Sequence, residues 1–344
     1  MRTFLQSAVF VALLCLCGYA PAQVWEALPA AAPAPADNPT TAAKVELGKM
    51  LYHDPRFSAT GTVACASCHD VMEGGDDHRP TSVGVHGVLG GRNAPTVYNA
   101  AFLSSQFWDG RAATLEEQAK GPITNPVEMG MKDLSAAMAR IRAIPGYGPY
   151  FVAAFGTQGD VLTIDNAARA IAAYERTLIT PNSPYDRYVR GDKTALSAQQ
   201  RHGMQLFAEA GCGSCHQGAT FSGPALPTGT PFLQKFPVVE TSPFVAQYDL
   251  AADLGRAVAT GKTEDRHLWR VPTLRNLSYT APYMHNGAVK TLPEAARVMA
   301  GTQLARELTP TEANDLAAFL EALAGEFPRQ TMPRLPPTPG DLLL

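Results

Sequence analysis

Cys65-Ala66-Ser67-Cys68-His69 and Cys212-Gly213-Ser214-Cys215-His216 are two copies of C-x-x-C-H. This pattern is the attachment signature of a c-type haem. The two thiols become thioethers, and the adjacent imidazole faces the iron as its proximal axial ligand. A zinc site or a redox dithiol uses the same residue types. Nothing else in the chain supplies paired Cys and His at zinc spacing, so the haem reading is preferred. Two motifs predict two covalently bound haem c groups, one to each of two domains.

The leader agrees with this reading. Residues 1–22 carry one early charge, Arg2, then an apolar run from Ala8 to Leu16 and an A-x-A cleavage pattern at Ala20-Pro21-Ala22. The run is too short to span a bilayer, so a cleaved signal peptide and an exported chain without stable membrane insertion are expected. Cys15 and Cys17 fall inside the leader, and the other four cysteines belong to the haem motifs, so no disulfide is predicted. The 28 Lys+Arg and 31 Asp+Glu give a net charge of −3. That balance argues against a nucleic-acid partner, which wants a basic face.

The predicted fold is mainly α: two cytochrome c-like haem domains with long irregular loops. Apolar spacing of three and four predicts helices over Val161–Leu178, Pro310–Leu323 and Asp133–Ile144, the last stopped by Pro145-Gly146. Gly- and Pro-rich loops cover Glu73–Pro95 and Gly218–Pro243, and strand signals are few. The organisation reads as leader 1–22, a flexible or extended Ala/Pro-rich lead-in 23–40, an N-terminal haem domain 41–180, a C-terminal haem domain 181–326, and a Pro-rich tail 327–344 lying back on the protein.

The two halves repeat each other. Pro95-Thr96-Val97-Tyr98-Asn99 matches Pro272-Thr273-Leu274-Arg275-Asn276. At the same offset Phe107-Trp108-Asp109-Gly110 falls on Met284-His285-Asn286-Gly287, and Thr114-Leu115-Glu116-Glu117 on Thr291-Leu292-Pro293-Glu294. The last pair reads as two capping boxes. A duplicated monohaem domain follows, with its boundary near Thr180–Pro184. The copies differ where it matters. The second capped helix carries Met299, a thioether suited to the distal side of a higher-potential, electron-transfer haem, with Met284 a competing candidate and a core Met the plain alternative. The equivalent position in the first half is Pro122, which ligates nothing. The first iron must find another ligand or stay open. His78 and His86 lie in the loop after the first motif, and His86 is set between Gly84 and Gly87.

These segments, with Leu47-Gly48-Lys49-Met50-Leu51, Asp54-Pro55-Arg56, Arg92-Asn93-Ala94-Pro95-Thr96, Gln106-Phe107-Trp108-Asp109-Gly110-Arg111, Gln118-Ala119-Lys120-Gly121-Pro122, Val127-Glu128-Met129 and Pro282-Tyr283-Met284-His285-Asn286-Gly287, resemble the bacterial di-haem cytochrome c peroxidases from about Val45 to Pro336. The resemblance implies a periplasmic homodimer that reduces hydrogen peroxide to water with electrons from a small cytochrome c or cupredoxin. It implies His69 and His216 as proximal ligands, Met299 as distal ligand of the electron-accepting haem and His86 as that of the first haem. Trp108 would lie between the haems, and Gln118 and Glu128 would line the peroxide pocket. Asn93, with the carbonyls of Thr280 and Pro282, would hold Ca2+, a hard cation suited to oxygen donors. The chain departs from the pattern at Val85, which stands where the best-known members carry the distal histidine; His86 follows one residue later.

The residues support the chemistry. A carboxylate near the iron can move a proton between the oxygens of peroxide as base and then acid. Glu128, set among Pro126, Val127 and Met129, suits that task because an apolar setting raises a carboxyl pKa. Gln118 can hydrogen-bond peroxide without taking its proton. The plain alternatives are a surface carboxylate and a polar helix-face residue, and Trp108 alone would be core. Two rival functions use the same residues. One is a non-catalytic di-haem electron carrier. The other is a relative that oxidises tryptophans on a partner protein, an activity associated with a tyrosine where this chain has Met299.

Overall fold

The computed structural model describes residues 24–338. The predicted leader, 1–22, lies outside the described residues. Each half is organised around two helices that cross at a glycine. In the first, α1 (Ala42–Tyr52) meets α5 (Ile164–Glu175) at Gly48, where an added Cβ would lie 1.8 Å from the Ala170 carbonyl oxygen. In the second, α7 (Ala198–Glu209) meets α11 (Pro310–Glu321) at Gly203, where a Cβ would lie 1.9 Å from the Asp315 carbonyl oxygen. Bare backbone is what lets the helix axes approach so closely. The helices start on hydroxyl caps, since Thr41, Thr163, Ser197 and Thr309 each accept a backbone N–H from the first turn. Such caps contribute about 1 kcal/mol each.

The other helices are α2 (Leu115–Thr124), α3 (Leu134–Arg142), α4 (Gly148–Phe155), α6 (Pro184–Val189), the short α8 (Pro243–Gln247) and α9 (Ala257–Thr260), and α10 (Leu292–Gln303). α3 ends before the Pro145–Tyr147 turn, as the Pro-Gly pair predicts. The second half carries a longer insertion after its haem motif. Within it β1 (Leu233–Lys235) pairs antiparallel with β2 (Leu268–Arg270), Gln234 opposite Trp269. The predicted capping boxes are not formed as boxes. Thr114 caps Glu117, but the Glu117 carboxylate accepts the N–H of Ala113 rather than of Thr114. Thr291 makes no side-chain cap, and Glu294 is taken instead by the Tyr248 hydroxyl and Arg297.

The first apolar core gathers Leu47, Leu51, Phe57, Met138, Ile141, Phe151 and Ile171. The second gathers Tyr185, Leu206, Phe207, Phe221, Leu316 and Phe319. The repeat is written in the backbone. Asn99 and Asn276 are both left-handed (φ 65° and 62°), as are Phe107 and Met284 (68° and 73°) and Gly110 and Gly287 (65° and 62°). A bridge joins Gln106 to Ala112, and its mate joins Tyr283 to Val289.

The halves meet as the two sides of a pseudo-two-fold contact. Asn93 N–H donates to the His285 carbonyl at 2.8 Å, and its mate Arg270 N–H donates to the Trp108 carbonyl at 2.8 Å. Residue i touches j while the mate of j touches the mate of i, as in an isologous dimer. Asn99 and Asn276 converge on buried Thr180 in the connecting segment, which takes 2.8 and 2.9 Å hydrogen bonds from their side-chain amides.

The lead-in has no helix, but it is anchored rather than flexible. Trp25 packs edge-on against Tyr185 and Phe319 of the second half, and the N–H of buried Leu28 donates to Asp186. Asn38 is buried against Glu116 and Lys44. These contacts offset the ordering cost that the Ala/Pro composition suggested would not be met. At the other end Phe327 lies between Tyr98 and Tyr279 (ring centroids 4.7 and 5.0 Å), and Arg56 donates to the Pro336 carbonyl of the tail at 2.9 Å.

Candidate functional site

Both C-x-x-C-H motifs adopt the same single turn. Cys65–Ser67 and Cys212–Ser214 are short 3-10 segments, and His69 N–H and His216 N–H donate back to the carbonyls of Cys65 and Cys212 at 3.0 and 2.9 Å. The four cysteines are unpaired, which keeps them available for thioether bonds. His216 is buried, and its Nδ1 sits 2.8 Å from the Phe221 carbonyl. A carbonyl only accepts, so Nδ1 carries the proton and Nε2 keeps its lone pair for a metal. Carbonyls of the mates Pro95 and Pro272 face the two histidine rings, and burial holds both imidazoles below their ordinary pKa.

A cavity of ≈ 370 Å³ opens beside the second motif, with Cys212, Cys215, His216, Met284 and Met299 in its wall. An imidazole nitrogen, two thiols and a thioether around one apolar space fit a covalently held haem. Trp108 of the first half lines the same cavity. Its indole N–H donates to the Asn93 carbonyl at 2.8 Å, and it stands edge-on to Trp269, centroids 6.5 Å apart. Trp269 stacks on His285 at 4.4 Å and carries the Arg92 guanidinium 4.9 Å above its ring. Burial pushes the His285 imidazole down to about 4, so it is neutral near pH 7. Arg92 in turn joins Asp253 of the second half (2.7 Å) to Asp109 of the first (2.7 Å).

The first motif has its own neighbours. Cys65 packs on the first core, and the charge of Glu128 reaches both Cys65 and Cys68. The turn bearing Glu128 folds back on α2, with Met129 N–H donating to the Pro122 carbonyl at 3.2 Å. Gln118 lies one turn before Pro122 on the same helix face. Phe107 packs against Gly121 and carries the Arg111 guanidinium 3.4 Å from its ring centroid. Burial raises the Glu128 pKa, and Arg111 opposes the rise. Glu128, Pro122 and the Phe107–Arg111 pair are thus brought together around the first motif.

His86 is not drawn into that group. It is exposed at φ 58°. Val85 is buried instead, its N–H donating to the Glu128 carbonyl at 2.8 Å and its side chain resting on Gly130. Gly84 is wedged against the carbonyls of Val127 and Glu128, whereas Gly87 faces open space. His78 is exposed as well. Asn93, Thr280 and Pro282 each line part of the same large cavity that runs past His216 and Met299. Their oxygens are hard but uncharged.

Sequence reasoning missed Trp269, Arg92 and Arg111 as site residues. The repeat register could have found two of them, because Arg92 and Trp269 are mates and stack on each other.

Two haem-binding modules joined by a pseudo-two-fold seam define a di-haem c-type protein. Comparison with known proteins narrows the class. Residues 42–194 match the family model described as di-haem cytochrome c peroxidase. The chain is 44% identical over 292 residues to cytochrome c551 peroxidase of Pseudomonas aeruginosa, covering 85% of this chain and 81% of that protein. It is 41% identical over 309 residues to cytochrome c551 peroxidase of Nitrosomonas europaea, covering 90% and 88%. A crystal structure of a MauG-like protein associated with microbial copper homeostasis superposes with a TM-score of 0.74 at 29% identity, covering 89% of this chain and 96% of that one. The chain belongs to the di-haem cytochrome c peroxidase family, a family of enzymes. Among the described residues no helix is long and apolar enough to cross a membrane.

Proposed function

We propose that this protein is a periplasmic peroxidase that reduces hydrogen peroxide to water with electrons from a small cytochrome c or cupredoxin. The observation that carries the reading is the unequal pair of helices: α10 brings Met299 to the wall of the His216 cavity, while α2 has Pro122 at the matching place. Cys65, Cys68 and His69 would hold one haem, and Cys212, Cys215, His216 and Met299 the other. When bound, the second haem supplies the electron-accepting couple and the first the site where peroxide is reduced. Ca2+ would sit between the halves on Asn93, Thr280 and Pro282, and the protein would work as a homodimer. Methionine at 299, where tryptophan-oxidising relatives have tyrosine, speaks against their activity.

The side chains divide the remaining work. Glu128, its pKa raised by burial, takes the proton from the inner oxygen of peroxide and returns it to the departing outer oxygen. Gln118 orients peroxide by hydrogen bonding. Trp108 bridges the two centres. His86 would be a displaceable ligand to the first haem, and its exposed position on a turn open at Gly87 leaves it room to move.

The buried position of Val85 favours a second reading, in which the first iron never carries an imidazole on its distal side. The ferric spectrum of the resting protein decides between them. A low-spin first haem that becomes high-spin in His86→Gly supports the displaceable ligand. A high-spin haem in both supports the permanently open site. Low-spin haems throughout, with no peroxide turnover from a reduced cytochrome, would leave only an electron carrier.

A further inference from the structure

We propose that Arg92 is a positioning residue for electron passage between the halves: together with Asp253 and Asp109 it clamps Trp108 in register against the second half. The inference rests on the reading that Trp108 bridges the two centres, and deepens it. Each passage moves one electron from the second centre to the first, where peroxide takes up two electrons and two protons in all to give two waters.

Arg92 grips both sides of the seam at once. Its guanidinium is bidentate to Asp253, Nε at 2.7 Å and Nη2 at 2.9 Å, and Nη2 also donates to the Gly255 carbonyl at 3.1 Å. Both partners lie in the insertion of the second half. Nη1 donates to Asp109 of the first half at 2.7 Å. Asp109 is buried and directly follows Trp108. A planar fork of donors suits such a pair, and Lys cannot copy it. The same two segments are tied again one residue along, where the Asn93 carbonyl accepts the Trp108 indole N–H at 2.8 Å. Arg92 with Asp109 and Asn93 with Trp108 are thus successive rungs. Arg256 of the insertion adds a third tie, donating to the Asp109 carbonyl at 2.8 Å. Trp108 lines the His216 cavity, and Phe107 before it packs on Gly121 beside Pro122. A shift of this segment therefore disturbs the contact with both centres.

The repeat shows that the clamp is particular to the tryptophan copy. The mate of Arg92 is Trp269, on whose ring the guanidinium itself lies at 4.9 Å. The mate of Asp109 is Asn286, which is uncharged and donates to the Tyr248 carbonyl at 2.8 Å. The mate of Trp108 is His285, which no such fork holds.

The test uses the holoprotein with its second haem reduced by ascorbate, then mixed with hydrogen peroxide in a stopped-flow spectrometer. In Arg92→Gln the reoxidation of that haem should slow by about tenfold or more, with both haem spectra unchanged. The ultraviolet resonance Raman band that reports hydrogen bonding at the Trp108 indole N–H, assigned by its loss in Trp108→Phe, should shift toward its free-indole position. Trp108→Phe should slow reoxidation as well, and adding Arg92→Gln to it should slow it no further, because residues that act through one another are not additive. Full additivity of the two substitutions, an unshifted indole band, or reoxidation at the parent's rate in Arg92→Gln each overturns the proposal. If Trp108→Phe reoxidises at the parent's rate, the bridging reading itself falls and the proposal with it. Should Arg92→Gln fail to fold, Asp253→Asn, which keeps the side-chain shape and unties the same fork, is measured in the same way against the same outcomes.

Discussion

The two halves share a helix crossing, a motif turn and a run of left-handed residues, yet they have diverged at their chemical centres. The second half presents Met299 and His216 to one largely apolar cavity. The first half has a proline in place of the methionine and sets Glu128 and Arg111 beside its motif, with His86 exposed outside that group. The difference teaches that duplication preserved the helix crossing and the motif turn while the side chains beside each motif diverged; under the proposed function, that divergence separates the copy that exchanges electrons from the copy that meets substrate.

The strongest way to break the comparison is Glu128→Gln. Turnover of peroxide should fall on the order of a hundredfold or more, with both haem spectra intact. Unchanged kinetics would remove the acid–base distinction between the halves. Next is Met299→Leu, which should strip the sulfur ligand from the second haem and lower its potential. Donor-driven activity should then drop by about tenfold or more, read by spectroelectrochemistry and by steady-state rates; a wild-type spectrum would transfer the ligand role to Met284.

A smaller effect tests what the halves have in common. Gly48→Ala and Gly203→Ala should each destabilise by ~1–3 kcal/mol through overpacking at the crossing, followed by thermal melts. A loss in only one of them would show that the crossings are not equivalent.

The smallest effect concerns a buried pair five residues beyond those crossings, Glu175 in the first half and Leu320 in the second. Burial pushes Glu175 up to about 8 from 4.5. The folded state therefore holds a proton that the unfolded chain releases. This contribution is complete below the unfolded carboxyl pKa, declines above it, and is lost once the pH has passed about 8. Glu175→Gln should raise the melting temperature by a few degrees at pH 8 and hardly at all at pH 4.5. A gain equal at both pH values would assign it to packing rather than titration.

Much of this was legible in the sequence. The C-x-x-C-H motifs, the repeat register and the Met299/Pro122 contrast need only residue type and spacing. Helices came from apolar period and from stops such as Pro145-Gly146, although α5 is shorter than its periodic run. The rest depends on long-range packing. Glu294 has the spacing of a capping box, but Tyr248, brought near only in the fold, takes its carboxylate. The lead-in has the composition of a loose segment, and Trp25 is fixed by an aromatic cluster drawn from four distant positions. The His86 loop looked free because glycines bound it, yet Gly84 is wedged against another segment that no local pattern reveals.

The crossed termini have a mechanical consequence. The chain's opening segment, with Trp25, grips the later module, and its closing segment, with Pro336, grips the earlier one. Prying the modules apart must therefore peel both arms as well as the seam. A shift in the tilt between the two haem pockets would load those arms, so trimming either one should loosen the spacing across which electrons must travel.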